Sequence, residues 1–283
     1  MVRFAFASIL IAAAACGGAT PKPAGPEPVA GPDLSPALAP VRWIVGDWEH
    51  EAGREHWTAV AGVFYGVAFH AEGGFEAMLI DDATEDAPGQ PDGTLRFYAI
   101  PSGAAETLFT ATGAGADALR FENPQHDDPT SIEYTPADQG LSSTVTGARG
   151  EQVLSMASFD GERADDAVAA DAAFARATDA NRADGWVDSF AEDGAMIRGG
   201  QRVEGADAIR GVIAPLLAQG DLLWSPTWSR LSANGQLAAT AGHARLVHEA
   251  RVVWRGSYLT VWRATAEGWK VVLDVGRSEN PLQ

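Results

Sequence analysis

Three places in the chain bring together side chains that can move protons or hold a ligand. In Arg54-Glu55-His56-Trp57 a carboxylate, an imidazole and an indole follow one another. Adjacent strand positions point to opposite faces, so one of Glu55 and His56 faces inward and the other outward. An inward Glu55 needs a partner or a polar ligand, because an unpaired buried carboxylate is costly. An outward one is a solvated strand carboxylate. His126-Asp127, in a Pro-bounded loop, could offer an imidazole oriented by a carboxylate, serving as general base or metal ligand. Asn123 and Asp127 could equally bond the backbone of their own turn. His243 and Asp274 lie on different strands and could pair as base and orienter, unless His243 faces solvent and Asp274 caps the sheet end.

The elements that must position these groups differ between the two halves. From 62 to 159 short alternating runs dominate, as in Gly62 to His70, Phe75 to Ile80, Leu95 to Ile100 and Glu106 to Thr112, separated by Gly, Asp, Asn and Pro. Eight or more strands at this spacing predict an antiparallel sheet closed into a barrel. After Gly161 the grammar changes. Arg163 to Asp184 has no Gly or Pro until its end and reads as an amphipathic helix, with Val168, Ala172, Ala175 and Thr178/Asp179 on one face. Two further helices, Trp186 to Ala191 and Ala206 to Gln219, precede four long strands between Leu222 and Val275. That order predicts an α+β cone, a curved antiparallel sheet wrapped on helices.

Composition bounds the function. A length of 283 residues suggests about two domains. The formal charge of -18, from 20 Lys+Arg against 38 Asp+Glu, disfavours nucleic acid as a partner, since a phosphate backbone must be neutralised by basic side chains. One cysteine, Cys16, excludes a disulfide framework and a Cys-based structural metal site.

The N-terminus reads as an address. Arg3 precedes an apolar run from Phe4 to Ala15, too short to span a bilayer but suited to a secretory signal. Ala13-Ala14-Ala15-Cys16-Gly17 resembles a bacterial lipobox. The resemblance implies cleavage before Cys16, a diacylglycerol on its thiol and, with Gly17 following, sorting to the outer membrane or another envelope membrane, on its periplasmic or surface side. Pro21, Pro23, Pro26, Pro28, Pro32, Pro36 and Pro40 then mark an extended tether. The expected organisation is a signal over 1–15, a tether over 16–40, a barrel over 41–160 and a cone over 161–283.

Two further resemblances follow from longer motifs. Trp43-Ile44-Val45-Gly46-Asp47-Trp48 looks like the entry of calycin-type barrels. With Arg54-Glu55-His56-Trp57 and Phe121-Glu122-Asn123-Pro124-Gln125-His126-Asp127-Asp128-Pro129 it is similar to a bacterial family of calycin-like barrels without an assigned activity. Some small calycin-like barrels bind haem through a histidine, for which His56, His70 or His126 could serve. Asp184-Gly185-Trp186, Phe190 to Gly194, Val203-Glu204-Gly205, Gly256 to Arg263 and Gly268-Trp269-Lys270 resemble the SnoaL-like superfamily, which shares the cone of nuclear transport factor 2 and ketosteroid isomerase.

That cone hosts many functions. Around Met196 to Gly200 no carboxylate stands where a steroid isomerase carries its base, and the first helix has no Tyr. The pocket candidates are Asp179, expected on the inner side of helix one, Trp186, Trp228, Tyr258 and Trp262, with His243 and Asp274, as in polyketide-cyclase relatives that use a His and an Asp. In the barrel they are Glu55, Trp57, His126 and Asp127. The leading expectation is a lipid-anchored envelope protein with two domains that bind small apolar or amphipathic molecules, without chemistry. The alternatives are an isomerase, cyclase or hydratase using His243 and Asp274, and a scaffold that forms a homodimer through its Trp-bearing C-terminal sheet.

Overall fold

Ten strands follow one another from Gly46 to Ser158. They are β1 (Gly46–His50), β2 (Gly53–Val60), β3 (Val63–His70), β4 (Phe75–Asp82), β5 (Leu95–Pro101), β6 (Thr107–Ala114), β7 (Leu119–Glu122), β8 (Ser131–Ala137), β9 (Gly140–Gly147) and β10 (Gly150–Ser158). The computed structural model describes residues 34–82 and 93–279. Cys16, the expected signal and the tether up to residue 33 lie outside that range. Each strand pairs antiparallel with the next, and β1 pairs with β10 through Trp48↔Ser158, so the sheet closes into a barrel. Alternation accounts for the filling: Trp57, Phe64, Met78, Ile80, Phe97, Phe109 and Phe121 form one buried cluster inside. Leu38, Val41 and Ile44, in and just before a short 3-10 helix (Ala39–Ile44), join the same cluster. Gly66 is required by this packing, since a Cβ there would stand 2.8 Å from the Trp57 indole.

The second half contains α1 (Asp165–Asn181), α2 (Ala183–Asp188), β11 (Phe190–Arg198), β12 (Gln201–Glu204), α3 (Ala206–Leu217), β13 (Asp221–Leu231), β14 (Leu237–His248), β15 (Arg251–Thr265) and β16 (Gly268–Ser278). Its sheet has six strands in the order β12-β11-β16-β15-β14-β13. The expected four-stranded antiparallel sheet is therefore corrected to a six-stranded mixed one, because β11 runs parallel to β16. The acids and Gly194 in β11, and the irregularity between Phe190 and Ala195, hide its strand period. The expected helix over Trp186 to Ala191 instead ends at Asp188, where the Ser189 hydroxyl donates to the Gly185 carbonyl. Along the free edge, β13 carries Pro226 and a register shift between Pro226 and Trp228.

Both faces of this sheet are buried over its middle, residues 237–242, 256–262 and 271–275. Ala238, Met196, Trp262 and Val271 pack under Phe174, Trp186, Ile209 and Ile213 of the helices. Ala239, Ala241, Leu259, Val261, Leu273 and Val275 pack on Tyr65, Val67, Phe69, Phe75, Ala77 and Leu79 of the barrel's outer wall. That double burial explains why β14 to β16 read as nearly continuous apolar runs. Polar bridges cross the same junction. Tyr65 Oη lies 2.9 Å from Ser257 Oγ, Arg277 donates to Glu106, and Arg230 grips Asp47. Residues 32–283 accordingly form one compact unit.

Candidate functional site

α1 presents Ala167, Asp171, Phe174 and Thr178 to the sheet, the spacing of one helical face. Asp171 is completely buried there. It accepts hydrogen bonds from Trp224 Nε1 at 2.6 Å, Thr240 Oγ1 at 2.7 Å and Tyr258 Oη at 3.0 Å. Burial raises its carboxyl to about 6, against the pull of those three donors and with a smaller push from Asp274. Thr240 in turn accepts from Trp262 Nε1 at 2.8 Å, so the network crosses β13, β14 and β15.

Beside this network lies a cavity of about 340 Å³. Phe174, Trp186, Leu216, Leu222 and Trp224, from the helices and β13, make an apolar wall. Arg198, Ser257, Asp274, Arg277 and Ser278, from β11, β15 and β16, make a polar one. Asp274 is buried, accepts from Thr260 Oγ1 at 3.1 Å and has Arg198 Nη2 at 3.5 Å. Burial raises its carboxyl, opposed by the Arg198 charge and the Thr260 bond. Trp186 lines the apolar wall, and its buried Nε1 has no hydrogen-bond partner among the described residues.

Of the residues anticipated for this half, Trp186, Tyr258 and Asp274 line the cavity. Asp179 is exposed, because the buried face of α1 is offset by one residue from the face expected, and Asp171 occupies the inner position. His243 and Asp274 are not brought together. His243 is 53% exposed and stands 3.6 Å from Glu279, opposite Ser257, whereas Asp274 is opposite Thr260 and turned into the cavity. Trp262 is core, and Trp228 packs against the barrel junction with Arg230 over its ring at 5.4 Å. The signal in the sequence that points to Asp171 is its helical spacing with Ala167, Phe174 and Thr178, which share its face.

In the barrel, Glu55 faces inward and His56 outward, yet both are buried. Glu55 accepts from Trp57 Nε1 at 2.5 Å, with Tyr134 as a second partner. Burial raises its carboxyl to about 7, against those two hydrogen bonds and aided by Glu76. His56 Nδ1 lies 2.8 Å from Asp47 Oδ1. An ionised Asp47 only accepts, so Nδ1 carries the proton and Nε2 is an acceptor, without a partner among the described residues. Trp57 is core. In the 123–130 loop, His126 Nδ1 bonds the Pro129 carbonyl at 2.8 Å, Asn123 and Asp127 accept from the backbone of the turn, and Asp127 is 95% exposed. The interior is filled by aromatic and aliphatic side chains. His56 points away from it, His70 is exposed, and His126 sits in its loop.

No group of three or more metal-ligating side chains occurs among the described residues, and no helix there is long and apolar enough to cross a membrane. No family model and no curated protein matches the sequence. Among solved structures, an NTF-2-like protein of unknown function from Shewanella oneidensis is similar at 15% identity over 40% of this chain and 96% of its own, with a TM-score of 0.35. A ketosteroid isomerase-like protein from Erwinia carotovora matches at 16% identity over 42% of this chain and 98% of its own, TM-score 0.35. An NTF2-like protein with a cystatin-like fold from Novosphingobium aromaticivorans matches at 18% identity over 40% and 79%, TM-score 0.33. Likenesses of this size assign no activity to this chain.

Proposed function

We propose that the second half is a small-molecule-binding module whose ligand occupies the cavity between the helices and the sheet. The observation that carries this reading is the division of one concave space into an apolar wall and a polar wall, the arrangement that fixes an amphipathic ligand in one orientation. Calorimetric titration with 2-naphthol tests it. Saturable binding is expected in the native protein and loss of binding in Ala244→Phe, which fills the cavity from β14. Binding undiminished by that substitution would place the ligand elsewhere.

A second reading, proton transfer to a bound carbonyl compound, is favoured by one observation. Asp274 lines the cavity with one close hydrogen bond, so an oxygen remains to exchange a proton, whereas Asp171 is occupied by three donors. This replaces the His243–Asp274 pair by Asp274 alone, in an isomerase, cyclase or hydratase type of reaction. Deuterium uptake next to the carbonyl of 2-tetralone, followed by NMR, should exceed the buffer rate and fall to it in Asp274→Asn. Equal uptake in both proteins removes this reading. Export of the module and its attachment through a lipid on Cys16 belong to the same proposal, supported by the N-terminal sequence. Palmitate label that persists in Cys16→Ala would refute the anchor.

A further inference from the structure

Two guanidinium groups line the cavity, and they are differently committed. Arg277 donates to Glu106, approaches Asp81 at 3.8 Å and lies over the Tyr98 ring at 4.6 Å, so the barrel holds and neutralises it. Arg198 is 31% exposed. Its close partners are the carbonyl of the neighbouring Ile197 at 3.2 Å and, more distantly, Asp274 at 3.5 Å. A guanidinium carries five N–H donors in a planar fork, so most of those of Arg198 are without a close partner among the described residues.

Resting on the reading of the cavity as a binding site, we infer that its ligand is an amphipathic carboxylic acid. The carboxylate is received by Arg198 in place of its long contact to Asp274. The apolar body lies along Phe174, Leu216, Leu222 and Trp224. A single negative charge fits better than a doubly charged phosphate, because only one guanidinium, its charge held by no more than a long contact to Asp274, is at hand and two carboxyl groups, Asp171 and Asp274, stand close by.

The test compares 1-naphthaleneacetate with the near-isosteric 1-naphthaleneacetamide by calorimetry on the protein carrying residues 32–283 and on the full chain. The acid is expected to bind at least tenfold more tightly at pH 7. Arg198→Gln should abolish that preference and Arg198→Lys should keep part of it. If the amide binds as tightly as the acid, the cavity remains a binding site and the carboxylate assignment is overturned. If neither compound binds, both readings fall. The comparison within the native protein decides the question even where a variant folds poorly.

Discussion

Arg230 of β13 holds both carboxylate oxygens of Asp47 of β1, Nε to Oδ1 at 2.7 Å and Nη2 to Oδ2 at 2.8 Å, and the same Asp47 orients His56. The fork thus fastens the second half of the chain to the first barrel strand, where little water screens it. Removing Arg230 leaves the half-buried Asp47 without its strongest counter-charge. Arg230→Ala is expected to cost about 2 to 3 kcal/mol, measured by urea denaturation.

The same cluster sets an acid limit on stability. Burial works against the charge of Asp47, yet the hydrogen bonds from His56 and Arg230 and the Arg230 charge hold its carboxyl well below the usual range. Burial lowers the His56 imidazole from 6.5, with Asp47 opposing. Both folded-state values are depressed, so each contribution is complete above the unfolded value and lost as pH falls. The contribution of His56 should decline below about pH 6.5 and that of Asp47 below about pH 4, against the opposite trend of the carboxyls that burial raises, such as Glu55 and Asp171. The difference in urea midpoint between the native protein and His56→Gln, followed from pH 8 to pH 5, checks the first and should shift in favour of the variant as pH falls.

Glu55 behaves in the opposite sense. Burial raises its carboxyl from 4.5 to about 7, so its favourable contribution is complete below pH 4.5 and is lost as pH rises to 7. Between pH 4 and pH 8 the stability of Glu55→Gln relative to the native protein should shift by ~3 kcal/mol in favour of the variant. Paired denaturation curves at the two pH values measure that shift, and parallel pH profiles would contradict it.

The phase of α1 is tested by two carboxylates on the same helix. Asp171→Ala leaves Trp224, Thr240 and Tyr258 without their acceptor and should cost ~3 kcal/mol or more. Asp179→Ala, on the exposed face, should change stability by less than about 0.5 kcal/mol. Thermal melting of the two variants gives the comparison.

Glycines separate packing from propensity. Gly66→Ala should destabilise the barrel by about 1 to 3 kcal/mol, because its methyl would meet the Trp57 indole at 2.8 Å. Gly211→Ala, inside α3 with nothing within 4 Å, should stabilise by ~0.8 kcal/mol. Melting temperatures moving in opposite directions are the expected result.

The barrel was legible because several of its strands have one face in a core and keep a period of two, as in β5 and β7. Adjacency required that Glu55 and His56 point to opposite faces, and left open which of them turns inward. What alternation could not supply was that the outward face is also covered, which buries His56 and hides Tyr65 beneath the second sheet. In α1 the many alanines blur the apolar stripe, so a shift of one residue exchanged Asp171 for Asp179. The pairing of β11 with β16 joins segments about seventy residues apart in a parallel sense, which no local pattern encodes.

The edge strand β13 has a consequence for how copies of this chain meet. A closed barrel offers no open rim, and β12, at the other edge of the second sheet, spans only Gln201–Glu204. The long rim is therefore β13, whose outer backbone groups could template a strand from another molecule. Pro226 lacks the N–H such a guest would need, and the shift beside it bends the strand. Beyond it the 162–164 segment covers the rim, the Leu231 N–H donating to the Glu162 carbonyl and the Ala164 N–H to Ser229 Oγ. A visiting strand is left with one short foothold, 221–225, so the molecule should resist polymerising along that rim when concentrated.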